Sequence, residues 1–311
     1  KKSKYFVKKE EDDNDQESIM TKTTTTAKRK RQQKVKKEED EETPEVNAYI
    51  KKHRDIIFGA EGKKRKTTKE FREYAEKVRI LIEKMREKRD APVDTMGCAH
   101  LADTSLPEKT QRFETLIALL LSSQTKDEIT AAAIKRLRDE KVLLPNIMAE
   151  EKEETLSKII YPVGFYKRKG NYMKRVATII RDTYDGDIPR TIDDILKLPG
   201  IGPKMGHLVM DHCWNEKTGI GVDVHVHRIS NRLKFVGTST EETKNAEETR
   251  KQLEEWLPTE QWSTINGLLV GFGQQICTAR RPKCQECLLY QQGLCPAAID
   301  IYKPAKKKIK K

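Results

Sequence analysis

Leu198-Pro199-Gly200-Ile201-Gly202-Pro203-Lys204 is the stretch of this chain from which its fold can be worked out. Thr191 can cap a short helix ahead of it, and Pro203 suits the first position of a second helix, where its missing N–H costs nothing. Gly200 and Gly202 let the backbone turn sharply between the two, with no Cβ to keep another molecule away. The stretch therefore predicts helix, tight hairpin, helix. Free N–H groups at a helix start bind anions, so we expect this hairpin and its glycines to contact a DNA phosphate.

The lysine in the first turn of the second helix suggests chemistry as well as binding. Lys204 lies at the positive end of the helix dipole, which disfavours its charge, and a neutral amine is a nucleophile. Asp223, nineteen residues further on, can supply a carboxylate to the same pocket. Such a pair suits attack at a sugar C1′ followed by Schiff-base chemistry. The alternative is an ordinary surface lysine that only contacts phosphate, in a DNA-binding protein without activity.

Length and charge limit the classes of protein that fit. The 311 residues are enough for one large domain or two of ordinary size, and the net charge of +13 indicates a polyanionic partner. No run of eighteen apolar residues is present, so we expect no membrane span. The chain begins at Lys1 rather than a methionine, and we expect that residues precede it.

The two ends of the chain are rich in charge and poor in apolar residues. Residues 1–67 cannot bury enough surface to offset the entropy of folding, and we expect them to be disordered. Lys28-Arg29-Lys30-Arg31 and Lys34-Val35-Lys36-Lys37 predict a bipartite nuclear localisation signal. The alternative is a solvated basic tail that assists DNA association, and the basic tail 301–311 has the same two interpretations. We expect a nuclear protein, with a mitochondrial location also open.

Between these ends the apolar residues keep helical spacing, and no convincing alternating strand is found, so the sequence predicts an all-α core. We expect a first helix up to residue 89 that Pro92 stops, then an irregular connection over 91–109. Thr125-x-x-Glu128 predicts a capping box for a helix over 126–139. Further helices are predicted over 151–160, 169–184, 223–235, 241–257 and 260–276.

Four of the six cysteines lie in one nineteen-residue loop after the last long helix. They are Cys277, Cys284, Cys287 and Cys295, with gaps of six, two and seven residues. Structural zinc sites usually combine two close pairs of ligands, whereas a [4Fe–4S] cluster takes four cysteines and suits such compact wrapping. The spacing favours iron–sulfur, with zinc and disulfides as alternatives. Lys283 and two neighbouring arginines predict a basic surface for DNA phosphates.

Together these motifs resemble the endonuclease III family of DNA glycosylases, eukaryotic branch. The resemblance rests on the 198–204 stretch, on Val222-Asp223-x-His225-Val226-x-Arg228, on the cysteine loop, and on the segments 121–127 and 268–275. It covers about residues 89–298. It implies a six-helix barrel domain over 105–216 that contains the hairpin. A second helical domain, 68–104 with 217–300, would carry the cluster, and DNA would bind across the cleft between them.

The resemblance also implies an activity. Lys204 would attack C1′ of an oxidised pyrimidine nucleotide flipped out of duplex DNA, expel the base and form an imine. β-Elimination would then nick the strand 3′ to the lesion. Asp223 would stabilise the developing oxocarbenium charge and assist proton transfers. The implied protein is a bifunctional glycosylase and AP lyase, a monomer, that needs no divalent metal. The family's adenine-removing relatives lack this lysine.

Two further positions carry over from the family. Gln124 would enter the gap left by the flipped nucleotide, the alternative being an amide that caps the next helix. Phe165 would wedge the opposite strand, the alternative being a loop aromatic packed on the barrel.

Two features leave other interpretations open. Asp223 is also a preferred helix cap, and Asp223-Val224-His225-Val226-His227 read as a strand would place three metal ligands on one side, as in a metal-dependent nuclease. We interpret His225 instead as a core or supporting histidine. The last cysteine gap is usually five residues in the family but seven here, and we expect Gln291-Gln292-Gly293 to bulge outwards without disturbing the ligands.

Overall fold

A computed structural model describes residues 68–238 and 240–298, and within these ranges all regular structure is helical. The predicted tails, with the nuclear localisation signal, lie outside the described residues. Three short 3₁₀ turns accompany the α-helices, at Cys98–His100, Thr259–Gln261 and Cys284–Glu286. The α-helices are α1 (Lys69–Met85), α2 (Pro92–Met96), α3 (Glu108–Ser122), α4 (Asp127–Asp139), α5 (Pro145–Glu150), α6 (Glu153–Ile160), α7 (Tyr166–Thr183), α8 (Ile192–Lys197), α9 (Pro203–Trp214), α10 (Val224–Arg232), α11 (Ala246–Glu254), α12 (Trp262–Gln275) and α13 (Leu288–Gln291).

The first of two apolar cores is built around α3. Every residue from Phe113 to Leu121 is buried, so this helix is covered on all sides by its neighbours. Helices α4, α7 and α9 pack around it. Buried apolar residues of this core run from Phe113 to Met210. Removing one of its aromatic side chains, as in Phe113→Ala, would cost about 3–5 kcal/mol of folding stability.

The second core joins the beginning of the described chain to its end. Residues of α1 pack against α10, α12 and the segment that follows α12. Phe71, Phe235 and Trp256 form a buried aromatic group, with ring centroids 5.1 Å apart for Phe71–Trp256 and 5.5 Å apart for Phe235–Trp256. Both cores lie inside the domain ranges predicted from the sequence, whose boundaries stay a prediction.

Polar side chains connect the two cores. Gln274 at the end of α12 donates from Nε2 to Asp127 Oδ2 at 2.7 Å, and its Oε1 accepts from Val93 N at 3.1 Å. Ser263 at the other end of α12 donates from Oγ to Asp211 Oδ1 at 2.6 Å. Helix α12 is therefore fastened to the first core at two points, and the space between these points is the cleft described below.

The prediction for residues 91–109 was wrong. Pro92 does not stop a helix, because α1 has already ended at Met85. Instead Pro92 is the first residue of α2, where the fixed φ of proline suits a helix start. The Asp94 side chain stabilises the start of this short helix by accepting from the backbone N–H of the N-cap residue Ala91 at 2.8 Å.

The predicted capping box at Thr125 was also wrong. Helix α4 begins at Asp127, its N-cap residue is Lys126, and no side chain caps it. The Thr125 hydroxyl is occupied elsewhere, because it accepts from Gly164 N at 3.1 Å and from Lys169 Nζ at 3.2 Å. A tertiary contact has replaced the local one.

Several helix limits also differ from the prediction. Helix α5 was not predicted, and α7 begins at Tyr166 rather than at residue 169. Helix α11 starts at Ala246, because the side chain of Asn245 caps it by accepting from Glu248 N at 2.9 Å. In the described ranges no helix has the length and apolar character that crossing a membrane requires.

Candidate active site and cluster loop

A cleft of about 1340 Å³ lies between the two cores. The first core contributes Gln124, Asp127 and Lys204 to its wall, and the second contributes Asp223 and Gln274. Residues predicted from separate sequence motifs therefore meet in one place. Lys283 and Phe165 do not line this cleft.

The glycine hairpin has the predicted form. Thr191 caps α8 by accepting from Asp194 N, and Ile201 N donates to Leu198 O at 3.2 Å to close the turn. Gly200 has a φ of +82°, a conformation that side chains with a Cβ rarely adopt. A Cβ there would also lie 2.4 Å from the ring of Tyr172. Gly200 is thus required by its backbone and by its neighbour.

Gly202 has a different environment. It is the N-cap residue of α9, its φ of −108° is open to any residue, and a Cβ would meet nothing within 4 Å. No side chain caps the start of α9. The first N–H groups of this helix are therefore accessible to an outside acceptor such as a phosphate.

Lys204 and Asp223 face each other across the cleft. Lys204 is the second residue of α9, and its Nζ lies 3.8 Å from Asp223 Oδ2. The lysine side chain is 35% exposed and the aspartate side chain 14% exposed. The lysine side chain is thus accessible from solvent, while the carboxylate lies deeper and within ion-pair distance of it.

Asp223 is at the same time the N-cap residue of α10. Its Oδ1 accepts from the backbone N–H groups of His225 and Val226, both at 2.8 Å. The cap and the site function are therefore not alternatives. One carboxylate oxygen fixes the side chain to the helix start, and the other stays directed towards Lys204.

The alternative in which residues 223–227 form a metal-binding strand does not hold, because Val224–Arg232 is helical, as the favoured prediction of a helix over 223–235 expects. Among the residues that the structure describes, no three histidine, cysteine or acidic side chains converge as they would around a single metal ion. His225 is half-buried and lines the cleft, and its Nδ1 lies 3.2 Å from Arg228 Nη2. Burial lowers the pKa of His225, a shift that the nearby Asp223 carboxylate opposes.

Asp127 is a second carboxylate of the cleft, and the sequence analysis gave it no role. Burial raises the pKa of this side chain, while the hydrogen bond from Gln274 and the charge of Lys204 work in the opposite direction. The signal that could have identified it is its position, because it follows Gln124 closely and opens a helix that no side chain caps.

Gln124 and Phe165 lie on adjacent loops of the first core. Both have positive φ, 51° and 57°, which is uncommon for residues other than glycine. Gln124 is exposed and does not cap α4. Phe165 is the N-cap residue of α7 and is 54% exposed, so it is not packed on the barrel. Each side chain is thus presented outwards by a strained backbone, a pattern found at ligand-binding sites.

The four loop cysteines are free thiols. Cys277, Cys287 and Cys295 belong to the second core or pack against it, and Cys284 lies within electrostatic range of Cys295. Burial is the main cause that raises the pKa of Cys295 to about 12, and burial also raises the pKa of Cys287. The backbone N–H groups of Leu289 and Tyr290 act against burial by lowering the pKa of Cys287, and that of Ala298 does the same for Cys295.

These surroundings fit an iron–sulfur cluster. Ligand thiols must be deprotonated, and in a buried site the charge of iron and hydrogen bonds to sulfur compensate for the loss of water. Arg232 adds such a bond, with Nη1 3.3 Å from Cys277 Sγ. The seven-residue last gap was expected to bulge outwards at residues 291–293, and this holds for two of these three residues. Gln291 and Gln292 are exposed, whereas Gly293 is buried and turns the chain with a φ of +64°.

Lys283 lies on the outer side of this loop. Its side chain is exposed, and its Nζ lies 3.7 Å from Glu286 Oε2. A surface pair of this kind is weak and can be exchanged for a phosphate.

Comparison with known families agrees with the two parts of the site. Residues 117–259 match the HhH-GPD superfamily base excision DNA repair protein model. Residues 277–291 match the iron–sulfur binding domain of endonuclease III. The second match includes three of the four loop cysteines and ends before Cys295. The chain thus carries the iron–sulfur domain of that family, and its cofactor is a [4Fe–4S] cluster.

Individual relatives are similar over most of the described chain. Endonuclease III-like protein 1 of Mus musculus is 50% identical over 217 residues, which are 70% of this chain and 70% of that protein. Endonuclease III-like protein 1 of Gallus gallus is 51% identical over 217 residues, which are 70% of this chain and 75% of that protein.

Solved structures show the same fold. A trapped endonuclease III–DNA covalent intermediate superposes with a TM-score of 0.62 and 28% identity, covering 75% of this chain and 99% of that chain. A non-covalent endonuclease III–DNA complex gives a TM-score of 0.61 at the same identity. With the hairpin, the Lys204–Asp223 pair and the cysteine loop in place, the chain therefore belongs to the endonuclease III family of base excision repair DNA glycosylases and AP lyases.

Proposed function

We propose that Lys204 and Asp223 perform the glycosylase and AP lyase chemistry of this base excision repair enzyme, and that its substrates are oxidised pyrimidines in duplex DNA. The observation that carries the proposal is the 3.8 Å separation of Lys204 Nζ and Asp223 Oδ2 at the wall of the cleft. A partly exposed amine next to a fixed carboxylate provides a nucleophile and a group that can stabilise positive charge.

The chemistry follows from these two groups. The lone pair of the neutral Lys204 amine forms a bond to C1′, and the bond from C1′ to the base breaks with its electron pair leaving on the base. The base takes up one proton from the amine. The C1′–O4′ bond then breaks with its electron pair on O4′, which takes up a second proton as the lysine nitrogen forms a double bond to C1′, and the sugar ring is opened as an imine. Asp223 stabilises the positive charge that develops on the sugar and accepts or returns these protons. Loss of a proton from C2′ then expels the 3′ phosphate, which nicks the strand, and water releases the product from Lys204.

The reacting carbon cannot be reached inside a base stack, so the nucleotide must rotate into the cleft. The cleft volume of about 1340 Å³ is ample for one nucleotide. We assign Gln124, which lines the cleft, to the gap in the duplex, and the exposed ring of Phe165 to the separation of bases of the opposite strand. Gly200 and Gly202 would let a phosphate approach the start of α9.

We assign the four ligands of the cluster to Cys277, Cys284, Cys287 and Cys295. The cluster would hold the loop in shape and present Lys283 to the DNA backbone, and no step of the reaction passes through it. We further propose that the protein has two domains, one over 105–216 and one formed by 68–104 with 217–300. It acts as a monomer, and its location is the nucleus and also mitochondria.

Cleavage of three otherwise identical duplexes tests the proposal. They carry thymine glycol, 8-oxoguanine or no lesion, and each is incubated with wild type and Lys204→Gln in buffer with EDTA. We expect wild type to cleave the thymine glycol duplex preferentially and Lys204→Gln to bind without nicking. Equal cleavage of the lesion-free duplex, or nicking that EDTA abolishes, would contradict the proposal.

A further inference from the structure

Lys169 is a buried lysine of the first core that the chemistry above does not use. It lies in the first turns of α7, and it is only 4% exposed. Its Nζ donates to Leu121 O at 2.7 Å, to Ser123 O at 2.6 Å and to Thr125 Oγ1 at 3.2 Å. An ammonium group has three N–H donors, so all of them are used.

The partners of Lys169 are unusual for a buried cation. In the part of the chain that the structure describes, no carboxylate lies within ion-pair distance of it, and burial lowers its pKa to about 8. Its charge instead faces the C-terminal end of α3, where carbonyl groups lack helical partners and the helix dipole is negative. Burying a charge costs free energy unless hydrogen bonds compensate for the lost water, and here the three hydrogen bonds of Nζ do so.

What this contact holds is the loop that carries Gln124. Two of the three acceptors flank that residue directly, on Ser123 and Thr125. Gln124 itself has a φ of +51°. Such a conformation persists only where the surrounding structure fixes it. The single ammonium group of Lys169 does so, because it bonds to the residue before Gln124 and to the residue after it.

The hydroxyl of Thr125 joins the loop that carries Gln124 to the loop that carries Phe165. Thr125 Oγ1 donates to Ser123 O at 3.2 Å and accepts from both Lys169 Nζ and Gly164 N. Gly164 precedes Phe165, and a Cβ on it would lie 2.5 Å from Gln124 O. The two loops are therefore in direct contact, and Thr125 Oγ1 is their shared polar atom.

Lys169 also belongs to the element that presents Phe165. Phe165 is the N-cap residue of α7, and its carbonyl oxygen accepts from Lys169 N at 3.0 Å. The guanidinium of Arg168 lies over the ring of Phe165, 5.1 Å from its centroid. One turn of helix thus connects the aromatic ring to the buried ammonium.

We propose that Lys169 is a positioning residue that holds Gln124 and Phe165 at a fixed separation, so that both enter duplex DNA as one rigid unit. The inference rests on the proposed roles of Gln124 and Phe165 in opening the duplex. It requires no contact of Lys169 with DNA, and it predicts a defect confined to substrates whose bases are stacked.

The first test compares Lys169→Met with wild type on one abasic-site oligonucleotide, as a duplex and as a single strand. A single strand needs no opening, so Lys204 can react there without the two loops. We expect the duplex cleavage rate of Lys169→Met to fall about tenfold or more, with the single-strand rate within about twofold of wild type. Equal retention of both rates, or a proportional loss of both, would overturn the inference.

The second test uses Thr125, which is half-buried and whose change leaves the core intact. Thr125→Val removes the shared hydroxyl at nearly constant volume, and Thr125→Ser keeps it as the matched control. We expect the valine variant to reproduce the duplex-specific loss and the serine variant to resemble wild type. Should Lys169→Met fail to fold, this pair decides the question, and identical behaviour of the two variants would refute the inference.

A binding measurement separates this inference from the proposed function. Affinity is measured for a duplex with a tetrahydrofuran abasic analogue, and 2-aminopurine opposite the analogue reports unstacking. We expect wild type to give a fluorescence increase that Lys169→Met and Thr125→Val reduce. This readout needs no imine chemistry. A wild type that unstacks the base but never cleaves would contradict the proposed function alone, and an unchanged signal in both variants would contradict the inference alone.

Discussion

The two carboxylate oxygens of Asp223 have different partners. Oδ1 accepts from two backbone N–H groups at the start of α10, and Oδ2 lies 3.8 Å from Lys204 Nζ. The cap orients the side chain, and the charge of the free oxygen is what catalysis would use. Structure and chemistry can therefore be separated at this residue by substitution.

Asp223→Asn should keep the cap and lose the charge, because asparagine caps helices about as well as aspartate. We expect little change in thermal stability and a fall of about 10²-fold or more in the single-turnover rate of base release. Asp223→Ala loses both functions and should also lose about 1 kcal/mol of stability. If the asparagine variant excises bases at the wild-type rate, the charge of Asp223 has no part in the reaction.

Asp127 should make stability depend on pH. Burial raises its folded-state pKa above the ordinary value of 3.8, so the folded protein binds this proton more tightly than the unfolded chain does. The free energy of unfolding of wild type should therefore fall relative to that of Asp127→Asn as pH rises from 3.8 through the raised pKa. Above the raised pKa the difference between the two free energies should stay constant. Urea unfolding of both proteins across this range measures the effect. A difference that shrinks with rising pH would mean that the carboxylate is stabilised, not penalised, by its site.

The two glycines of the hairpin, which only Ile201 separates, can be tested independently. Gly200 has positive φ and touches Tyr172, whereas Gly202 has an ordinary φ and open space beside it. Gly200→Ala should lower stability by about 1–3 kcal/mol. Gly202→Ala should fold normally but bind duplex DNA more weakly, because its Cβ enters the space we assign to a phosphate. Thermal melts and DNA titrations check both, and unimpaired DNA binding by Gly202→Ala would remove the phosphate from that position.

Local signals allowed the hairpin and the cap at Thr191 to be predicted, since glycine, proline and capping residues act within a few positions. Prediction failed where a side chain found a distant partner. The Thr125 hydroxyl was assigned to its own helix, but it bonds to Gly164, 39 positions away. Asp127 was given no role, because Gln274, which holds it, is 147 positions away. Short elements such as Pro145–Glu150 were missed because six residues carry too little periodicity.

Across the whole molecule, helix α10 connects the Lys204–Asp223 site to the cysteine loop. Its first cap residue is Asp223, and Arg232 in its last turn donates to Thr278 O at 2.8 Å and to Ala279 O at 2.8 Å. The loop also closes the second core, because Leu289 and Leu294 are buried in it. The cysteine loop therefore supports the half of the cleft that contributes Asp223.

Loss of a cluster ligand should thus affect folding and DNA binding together. Cys295→Ala should lower the iron content from about four atoms per chain, destabilise the protein and weaken DNA binding. Cys213→Ala is the matched control, because this half-buried thiol packs against the first core and its loss should leave iron and DNA binding unchanged. Iron and sulfide analysis with melting curves measures the difference. Full iron content in Cys295→Ala would show that the seven-residue gap has removed that cysteine from the ligand set.

Lys204 is expected to form a covalent imine with the sugar of a damaged nucleotide. Borohydride reduces such an imine to a stable protein–DNA bond, so trapping on an abasic-site duplex tests it directly. We expect a cross-linked band for wild type and none for Lys204→Gln, with duplex binding retained in the variant. A band of equal intensity in Lys204→Gln, or none from folded wild-type protein with its cluster, would contradict the claim.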